Sequence, residues 1–116
     1  ANSLRNLYLD NNQLTSIDLK DNMRLLALHL DNNQLSSIDV SRYRELRDLR
    51  LDNNQLTSID IIRNTRLRHL SLNNNHLTSI DIERNTPLEY LSLLENPLDL
   101  ATRNFLSTLY VDGLFY

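Results

Sequence analysis

Leucines recur along this chain with two superimposed periods. Within each of five segments leucine alternates with polar residues, as in Leu7-Tyr8-Leu9, which is the spacing of a strand with one buried face. The segments follow one another every 21 residues and begin at Leu4, Leu25, Leu46, Leu67 and Leu88. Repeats of about 20 to 50 residues are typical of solenoids, in which each unit buries its apolar face against its neighbours. We therefore expect one short strand per unit, stacked into a parallel sheet.

The aligned units share the pattern L-x-x-L-x-L-x-x-N-x-L, followed by T/S-S-I-D and an aliphatic residue. We number the positions of each unit 1 to 21 from its first leucine. The aliphatic side chains at positions 1, 4, 6, 11, 14 and 16 are predicted to form the core. The Asn at position 9 is predicted to turn inward and to bond backbone groups where the strand bends. This structural ladder comprises Asn12, Asn33, Asn54, Asn75 and Asn96.

A second Asn recurs at position 19, at Asn22, Asn64 and Asn85, and we expect it to act in the same way in a second bend. Tyr43 occupies that position in the second unit and is predicted to point outward or to distort the loop. Gly113 is the one glycine of the sequence. Because Asn tolerates unusual backbone angles better than most residues, the abundant Asn residues are expected to make the turns instead.

The five in-register copies resemble the leucine-rich repeat family over residues 4 to 98. The 21-residue unit is similar to that of bacterial internalin-type domains and related surface or effector proteins, although position 6, a Cys in some of them, is always Leu here. The resemblance implies an α/β fold: a right-handed solenoid with a curved parallel sheet of about six strands and extended or short helical convex segments. It also implies a secreted or cell-surface bacterial protein, or a delivered effector.

The pattern changes in the fifth unit, where the T-S-I-D segment is missing. Asp99 is a good helix N-cap, and Ala101, Phe105 and Leu106 give an apolar stripe at helical spacing. We predict a C-terminal capping helix and then a sixth strand near residues 109–111. The whole chain, residues 1–116, is predicted to be a single domain whose residues 99–116 form the cap.

The first unit is preceded by residues 1–3 and by no comparable cap. Its leucine edge is therefore expected to be exposed, with a row of unpaired backbone groups on the first strand. Two interpretations are open: a preceding part of a longer protein covers this edge, or the edge packs against a second copy of the chain, which predicts a homodimer through the N-terminal edge.

Positions 3 and 5 of the strands vary between units while their surroundings hardly change. In the leucine-rich repeat family these positions line the concave face, where a protein partner usually binds. Carried over to this sequence, that face is expected to bind its partner through Tyr8, His29, Asp48, Arg50, His69 and Tyr90, and through an acidic row at position 7 formed by Asp10, Asp31 and Asp52. The acidic row is open to two interpretations: a strip for a basic partner or Ca²⁺, or solvated carboxylates that bond neighbouring Asn amides.

The composition excludes several classes of partner and site. A net charge of −3 argues against nucleic acid as a partner, and a chain without Cys has neither disulfides nor thiolate metal sites. The three His residues lack metal-ligand spacing, a single Gly cannot build a phosphate loop, and no apolar run is long enough for membrane insertion. We predict no metal, no cofactor and no catalytic residues, because the strand face is open to water.

The sequence thus favours a non-enzymatic protein–protein interaction module that uses its concave face. Two alternatives remain open. One is the recognition part of a larger bacterial surface or effector protein whose activity lies elsewhere. The other is a consensus-like engineered scaffold without a natural ligand, which the near-identity of units one and three would fit.

Overall fold

The computed structural model describes residues 4–85 and 87–116, and it forms a solenoid of about five turns. Six parallel three-residue strands make one sheet in chain order, as the repeat pattern predicts. The strands are β1 (Asn6–Tyr8), β2 (Ala27–His29), β3 (Asp48–Arg50), β4 (His69–Ser71), β5 (Tyr90–Ser92) and β6 (Gly113–Phe115). A single short helix, α1 (Leu100–Leu106), lies between β5 and β6 in the described chain.

Leucines stack in columns through the solenoid because consecutive strands pair with a 21-residue shift. Leu28 pairs with Leu49, Leu49 with Leu70, and all three are fully buried. In the interior units the aliphatic residues at positions 1, 4, 6, 11 and 16 are buried. The prediction for position 14 was wrong, since Ile38 and Ile59 are only half-buried. They pack against the core from the outer segment, which leaves one side of each in water.

The inward Asn ladder at position 9 is confirmed in the second to fifth units. The Asn54 side-chain nitrogen donates to the carbonyls of Leu30 at 3.0 Å and Leu51 at 3.1 Å, and its Oδ1 accepts the Leu35 N–H at 3.0 Å. Asn33, Asn75 and Asn96 repeat this arrangement and are likewise buried. Asn12 is exposed, because β1 is the edge strand of the described sheet. The ladder therefore ties each unit to the one before it.

A further Asn at position 8 makes the turn after each of the first four strands, and Glu95 takes the same backbone angle after β5. Its φ lies between 54° and 60° at Asn11, Asn32, Asn53 and Asn74, a region that few residues other than Gly and Asn adopt readily. The side-chain amides also bond one another, with distances of 2.8–2.9 Å between successive units. Asn thus replaces Gly in these turns, as the composition predicts.

The second bend confirms the role of Asn64 and Asn85 but corrects that of Tyr43. Asn64 donates to the carbonyls of residues 40 and 43, and Asn85 donates to those of residues 61 and 64. Tyr43 was predicted to point outward or to distort the loop, yet it is only 4% exposed and its hydroxyl donates to the Lys20 carbonyl at 2.9 Å. Its backbone makes the same turn bonds as that of Asn64, so the loop keeps its form. The longer side chain reaches a carbonyl in the preceding unit, so the Tyr joins the two units as an Asn does elsewhere. Burial raises the pKa of the Tyr43 phenol.

The helix of the fifth unit begins where the sequence predicts. Asp99 caps it by accepting the Thr102 N–H at 2.8 Å. Thr102 and Leu106 are buried and Phe105 is half-buried, whereas Ala101 is exposed, so the predicted apolar stripe was wrong at Ala101. The helix takes the place of the extended T-S-I-D segment, and its residues Ala101, Thr102 and Phe105 line a cavity together with residues 80–83 of the fourth unit.

The predicted position of the sixth strand was wrong. β6 lies at Gly113–Phe115 rather than at residues 109–111, and Leu114 pairs with Leu91. Both L-x-x-L-x-V from residue 106 and V-x-x-L-x-Y from residue 111 fit the repeat spacing. The helix makes the fifth unit two residues longer than the others, and this selects the later register.

The N-terminal edge is incompletely buried where the structure describes it. Leu4 is 36% exposed and Leu7, Leu9 and Leu14 are half-buried, whereas the equivalent leucines of the second unit are fully buried. The predicted absence of a cap at residues 1–3 lies outside the described residues. In the described parts of the chain no helix combines the length and apolarity needed to cross a membrane.

Candidate protein-binding face

The candidate site is the strand face opposite the leucine core, formed by positions 3, 5 and 7 and here named the concave face. The parallel register aligns equal positions of neighbouring units about 4.7–4.9 Å apart. It brings Tyr8 beside His29, Asp48 beside His69, and His69 beside Tyr90. The six residues predicted at positions 3 and 5 therefore form one continuous surface across five strands.

Aromatic side chains contact one another at both ends of this surface. The rings of Tyr8 and His29 lie 4.5 Å apart at 40°, and those of His69 and Tyr90 are stacked at 4.3 Å and 6°. Tyr90 also contacts the ring of Phe115 at 5.6 Å. Such pairs contribute about 0.5–1.5 kcal/mol each beyond simple burial, so the rings are held in place before any partner arrives.

Gly113 supplies the space in which the Tyr90 ring lies. A Cβ atom at this position would be 2.9 Å from Cδ2 of Tyr90, closer than real Cβ contacts allow. Gly113 has no positive φ, so its small size and not its backbone freedom is what the structure uses. Sequence reasoning missed both Gly113 and Phe115 because it placed the sixth strand too early. The V-x-x-L-x-Y match from residue 111 was the signal for them.

A charged cluster lies between the two aromatic ends and bonds the first of them. The carboxylate of Asp48 binds His29 Nε2 at 2.8 Å through one oxygen and accepts from Arg50 Nε at 3.1 Å through the other. Burial alone would raise the pKa of Asp48, but the bonds from Arg50 and His29 outweigh it and hold the pKa below its ordinary value. Asp48 in turn raises the pKa of Arg50. Asp48 therefore stays ionised and fixes both neighbouring side chains.

His69 differs from His29 in having no carboxylate in contact with it. Burial lowers the pKa of His69 below its ordinary value of 6.5, an effect that the charge of Asp48 opposes and that of Arg50 reinforces. The neutral imidazole is thus favoured beneath the Tyr90 ring. The outer guanidinium nitrogens of Arg50 make no hydrogen bond to the described residues, and its side chain is 41% exposed. They remain able to bind an acceptor on a partner.

The acidic row at position 7 bonds the backbone of the next unit. Oδ1 of Asp10 accepts the N–H of Asp31, Oδ1 of Asp31 accepts that of Asp52, and Oδ1 of Asp52 accepts that of Asn73, each at 2.7 Å. Burial raises the pKa of Asp31. The row thus connects strands through backbone N–H groups rather than through the neighbouring Asn amides. No group of metal-ligating side chains is present among residues 4–85 and 87–116.

Position 5 is not exposed throughout. Ser71 and Ser92 are buried, and their hydroxyls donate at 2.6 Å to Asp52 and Asn73. In the fourth and fifth units the accessible surface therefore shifts to position 3, where His69 and Tyr90 lie. The face runs diagonally from Tyr8 on β1 to Phe115 on β6.

Comparison with known proteins places these features in context. A family model described as Leucine Rich Repeat matches residues 3–23 and 66–85. A leucine-rich repeat protein of Leptospira interrogans is 28% identical in sequence to this chain, and the two structures superpose with a TM-score of 0.90. The match covers 99% of this chain and 31% of the Leptospira chain. The functional domain of InlJ from Listeria monocytogenes includes a cysteine ladder and is 31% identical in sequence to this chain, with a TM-score of 0.81. This match covers 87% of this chain and 23% of the InlJ chain. This chain therefore spans under a third of the length of either. A search of curated proteins finds no match.

The Cys-free leucine column separates this chain from the cysteine ladder of InlJ, while the backbone architecture is shared. Leucine-rich repeats form protein-interaction modules in general. The motif, the six-stranded solenoid and the structural comparisons together identify the chain as a leucine-rich repeat protein that resembles bacterial internalin-type domains.

Proposed function

We propose that this chain is a non-enzymatic recognition module that binds a protein partner on its concave face. The observation that carries the proposal is the row of ordered side chains that lie on adjacent strands from Tyr8 through the Asp48 cluster to Tyr90. Tyr and Arg are enriched among the residues that dominate binding energy at interfaces. Because stacking and hydrogen bonds already order this row, its side chains would lose less conformational entropy when a partner binds.

The size of the face limits the partner's contact area. The five gaps of about 4.8 Å between six strands, and about seven residues across at about 3.3 Å each, give roughly 550 Å². A stable interface covers about 800 Å² on each side. The concave face alone therefore suits one protruding loop or helix of a partner. Flanking turns or further repeats would complete a larger interface.

Charge favours a partner with basic residues opposite the first three units. Asp10, Asp31 and Asp52 each use Oδ1 to accept a backbone N–H, and within residues 4–85 and 87–116 their Oδ2 atoms make no hydrogen bond. At positions 3, 5 and 7 of these three units Arg50 is the one Arg or Lys, and it is paired with Asp48. Complementary charge would act mainly on the rate of association, so binding should slow as salt is raised.

The test compares two double variants of the intact chain. Tyr8→Ala with Arg50→Ala removes exposed contacts at the centre and one end of the face, since Tyr8 is 58% exposed. Tyr110→Ala with Arg103→Ala removes the same residue types, both exposed, from outside the face. A partner captured by the unmodified chain and then purified should bind the first variant at least tenfold more weakly by calorimetry and the second unchanged. Weakening by the second variant alone would contradict the proposal.

A further inference from the structure

The net charge of −3 conceals a strong separation of charge in the folded chain. The turns that lead into the strands, residues 20–26, 41–47, 62–68, 83–85 and 87–89, together with Arg5, carry ten of the twelve basic residues and four of the fifteen acidic ones. Their net charge is +6, and the rest of the chain carries −9. Because the strands are parallel, all these turns lie at one edge of the sheet, which we name the basic rim.

The basic residues of the rim are exposed, and almost none is neutralised. All ten are classed as exposed, and nine of them are arginines. Within residues 4–85 and 87–116, the one ion pair they form joins Arg42 to Asp21 at 3.9 Å, and both side chains are largely in solvent. An exposed pair at that distance contributes little. The rim therefore presents unneutralised guanidinium groups to water.

Three of these arginines converge on one cavity. Arg47, Arg66 and Arg68 line it together with Pro87, and its volume is about 170 Å³. Backbone bonds fix the neighbouring turns, since the Arg68 N–H donates to the Arg47 carbonyl at 2.9 Å. No carboxylate in the described residues lies within ion-pairing distance of the three guanidinium groups. At the equivalent repeat positions, Glu45 lies one unit before Arg66 and Glu89 lies one unit after Arg68.

The chemistry of the cavity selects its ligand. Guanidinium groups bind tetrahedral or planar oxyanions through paired N–H donors, with better geometry than the point charge of Lys. The volume lies below the roughly 300–1,000 Å³ of sites that enclose whole small molecules. It suits a single oxyanion group that is attached to something larger and extends along the rim.

We propose that the cavity of Arg47, Arg66 and Arg68 binds a sulfate group of an acidic polysaccharide that lies along the basic rim. A linear polyanion can cross several turns, because these repeat at the strand spacing of about 4.8 Å. Nucleic acid fits less well, since single strands bind by stacking bases on aromatic side chains. The only aromatic residue of the rim is Tyr43, which is buried. This site is separate from the concave face and does not depend on a protein partner there.

The experiment measures binding of a fluorescently labelled, size-defined heparin octasaccharide by anisotropy at about 0.15 M NaCl. Arg47→Ala, Arg66→Ala and Arg68→Ala combined should weaken binding at least tenfold and lower the salt dependence by about two to three released ions. The matched control combines Arg24→Ala, Arg63→Ala and Arg84→Ala, which remove the same charge from the same rim outside the cavity. It should weaken binding less than threefold. Melting temperatures of both variants should stay within a few degrees of the unmodified chain.

Three further arms distinguish the alternatives. Inorganic sulfate should displace the octasaccharide more effectively than chloride at equal ionic strength, and a desulfated octasaccharide should not bind. If both triple variants lost the same affinity, or if chloride displaced the octasaccharide as well as sulfate, the binding would come from the summed charge of the rim. Either result would overturn the proposed site. Tighter binding of a single-stranded oligonucleotide or of phosphatidylserine vesicles than of the octasaccharide would overturn the choice of a polysaccharide.

Discussion

Replacing Asn54 with Ala should destabilise the solenoid far more than the same change at Asn12. Asn54 is 6% exposed and makes bonds to the carbonyls of Leu30 and Leu51 and to the N–H of Leu35. The two carbonyls keep a second donor, because Asn33 also bonds Leu30 and Asn75 also bonds Leu51. The Leu35 N–H has no replacement and lies in a fully buried residue.

The magnitude follows from those contacts. An unpaired buried N–H costs about 1–3 kcal/mol, and the loss of one of two donors at each carbonyl adds about 0.5 kcal/mol. We expect Asn54→Ala to lower the free energy of unfolding by about 2–4 kcal/mol. Asn12 donates to the carbonyls of Leu9 and Asp10 at the exposed edge, and Leu9 keeps a bond from Asn33. Asn12→Ala should therefore cost less than about 1 kcal/mol.

Urea denaturation followed by circular dichroism measures both variants on the same scale. The two midpoints should differ while the slopes stay alike, since both variants expose similar surface on unfolding. Losses equal to within about 0.5 kcal/mol would show that the Asn54 amide does not satisfy the buried backbone, and the ladder would have no energetic role.

Three further changes test other parts of the structure. Gly113→Ala places a Cβ 2.9 Å from the Tyr90 ring, so it should displace that ring and destabilise the fold. The displaced ring should alter the ring-current shifts of His69 in NMR spectra, and unchanged shifts would refute that packing. The lowered pKa of His69 means that the unfolded chain binds more protons just below pH 6.5, so stability should fall with decreasing pH from about 7.5 until the folded-state pKa is passed. His69→Gln should flatten that pH dependence in urea titrations, and an identical profile would count against the assignment. Leu7→Lys should abolish the self-association predicted at the N-terminal edge, where Leu7 is half-buried, and sedimentation equilibrium showing a monomer in the unmodified chain at high micromolar concentration would disprove that prediction.

The repeat pattern predicts most of the fold because the same physical requirement recurs in every unit. A leucine at positions 1, 4 and 6 can be buried only if neighbouring units stack in register, and that register then places Asn54 against unpaired backbone groups. The helix start at Asp99 is equally local, since capping depends on residues three positions apart.

The errors arise where the outcome depends on distances between units. Tyr43 is buried because its hydroxyl happens to reach the Lys20 carbonyl, which no pattern in one unit indicates. β6 was misplaced because two overlapping motifs fit, and only the length of the helical fifth unit selects Gly113–Phe115. Because of that register error, the packing of the Tyr90 ring over Gly113 was not predicted either.

The candidate face was predicted as a set of residues but not as a connected structure. The spacing identifies Tyr8, His29, Asp48 and Arg50 as neighbours on one surface. It does not reveal that the Asp48 carboxylate bonds both flanking side chains, because that depends on rotamers. The acidic row shows the same limit: its residues were identified, while their bonds to the backbone of the next unit were not.

Site-specific photocrosslinking tests the central claim, that partners bind on the concave face, most directly. Tyr8→p-benzoylphenylalanine places the crosslinker on the concave face, and Tyr110→p-benzoylphenylalanine places it at a fully exposed position outside that face. After irradiation with the purified partner, a covalent adduct should form from position 8 and not from position 110. An adduct from position 110 with none from position 8 would show that the partner binds elsewhere on the solenoid.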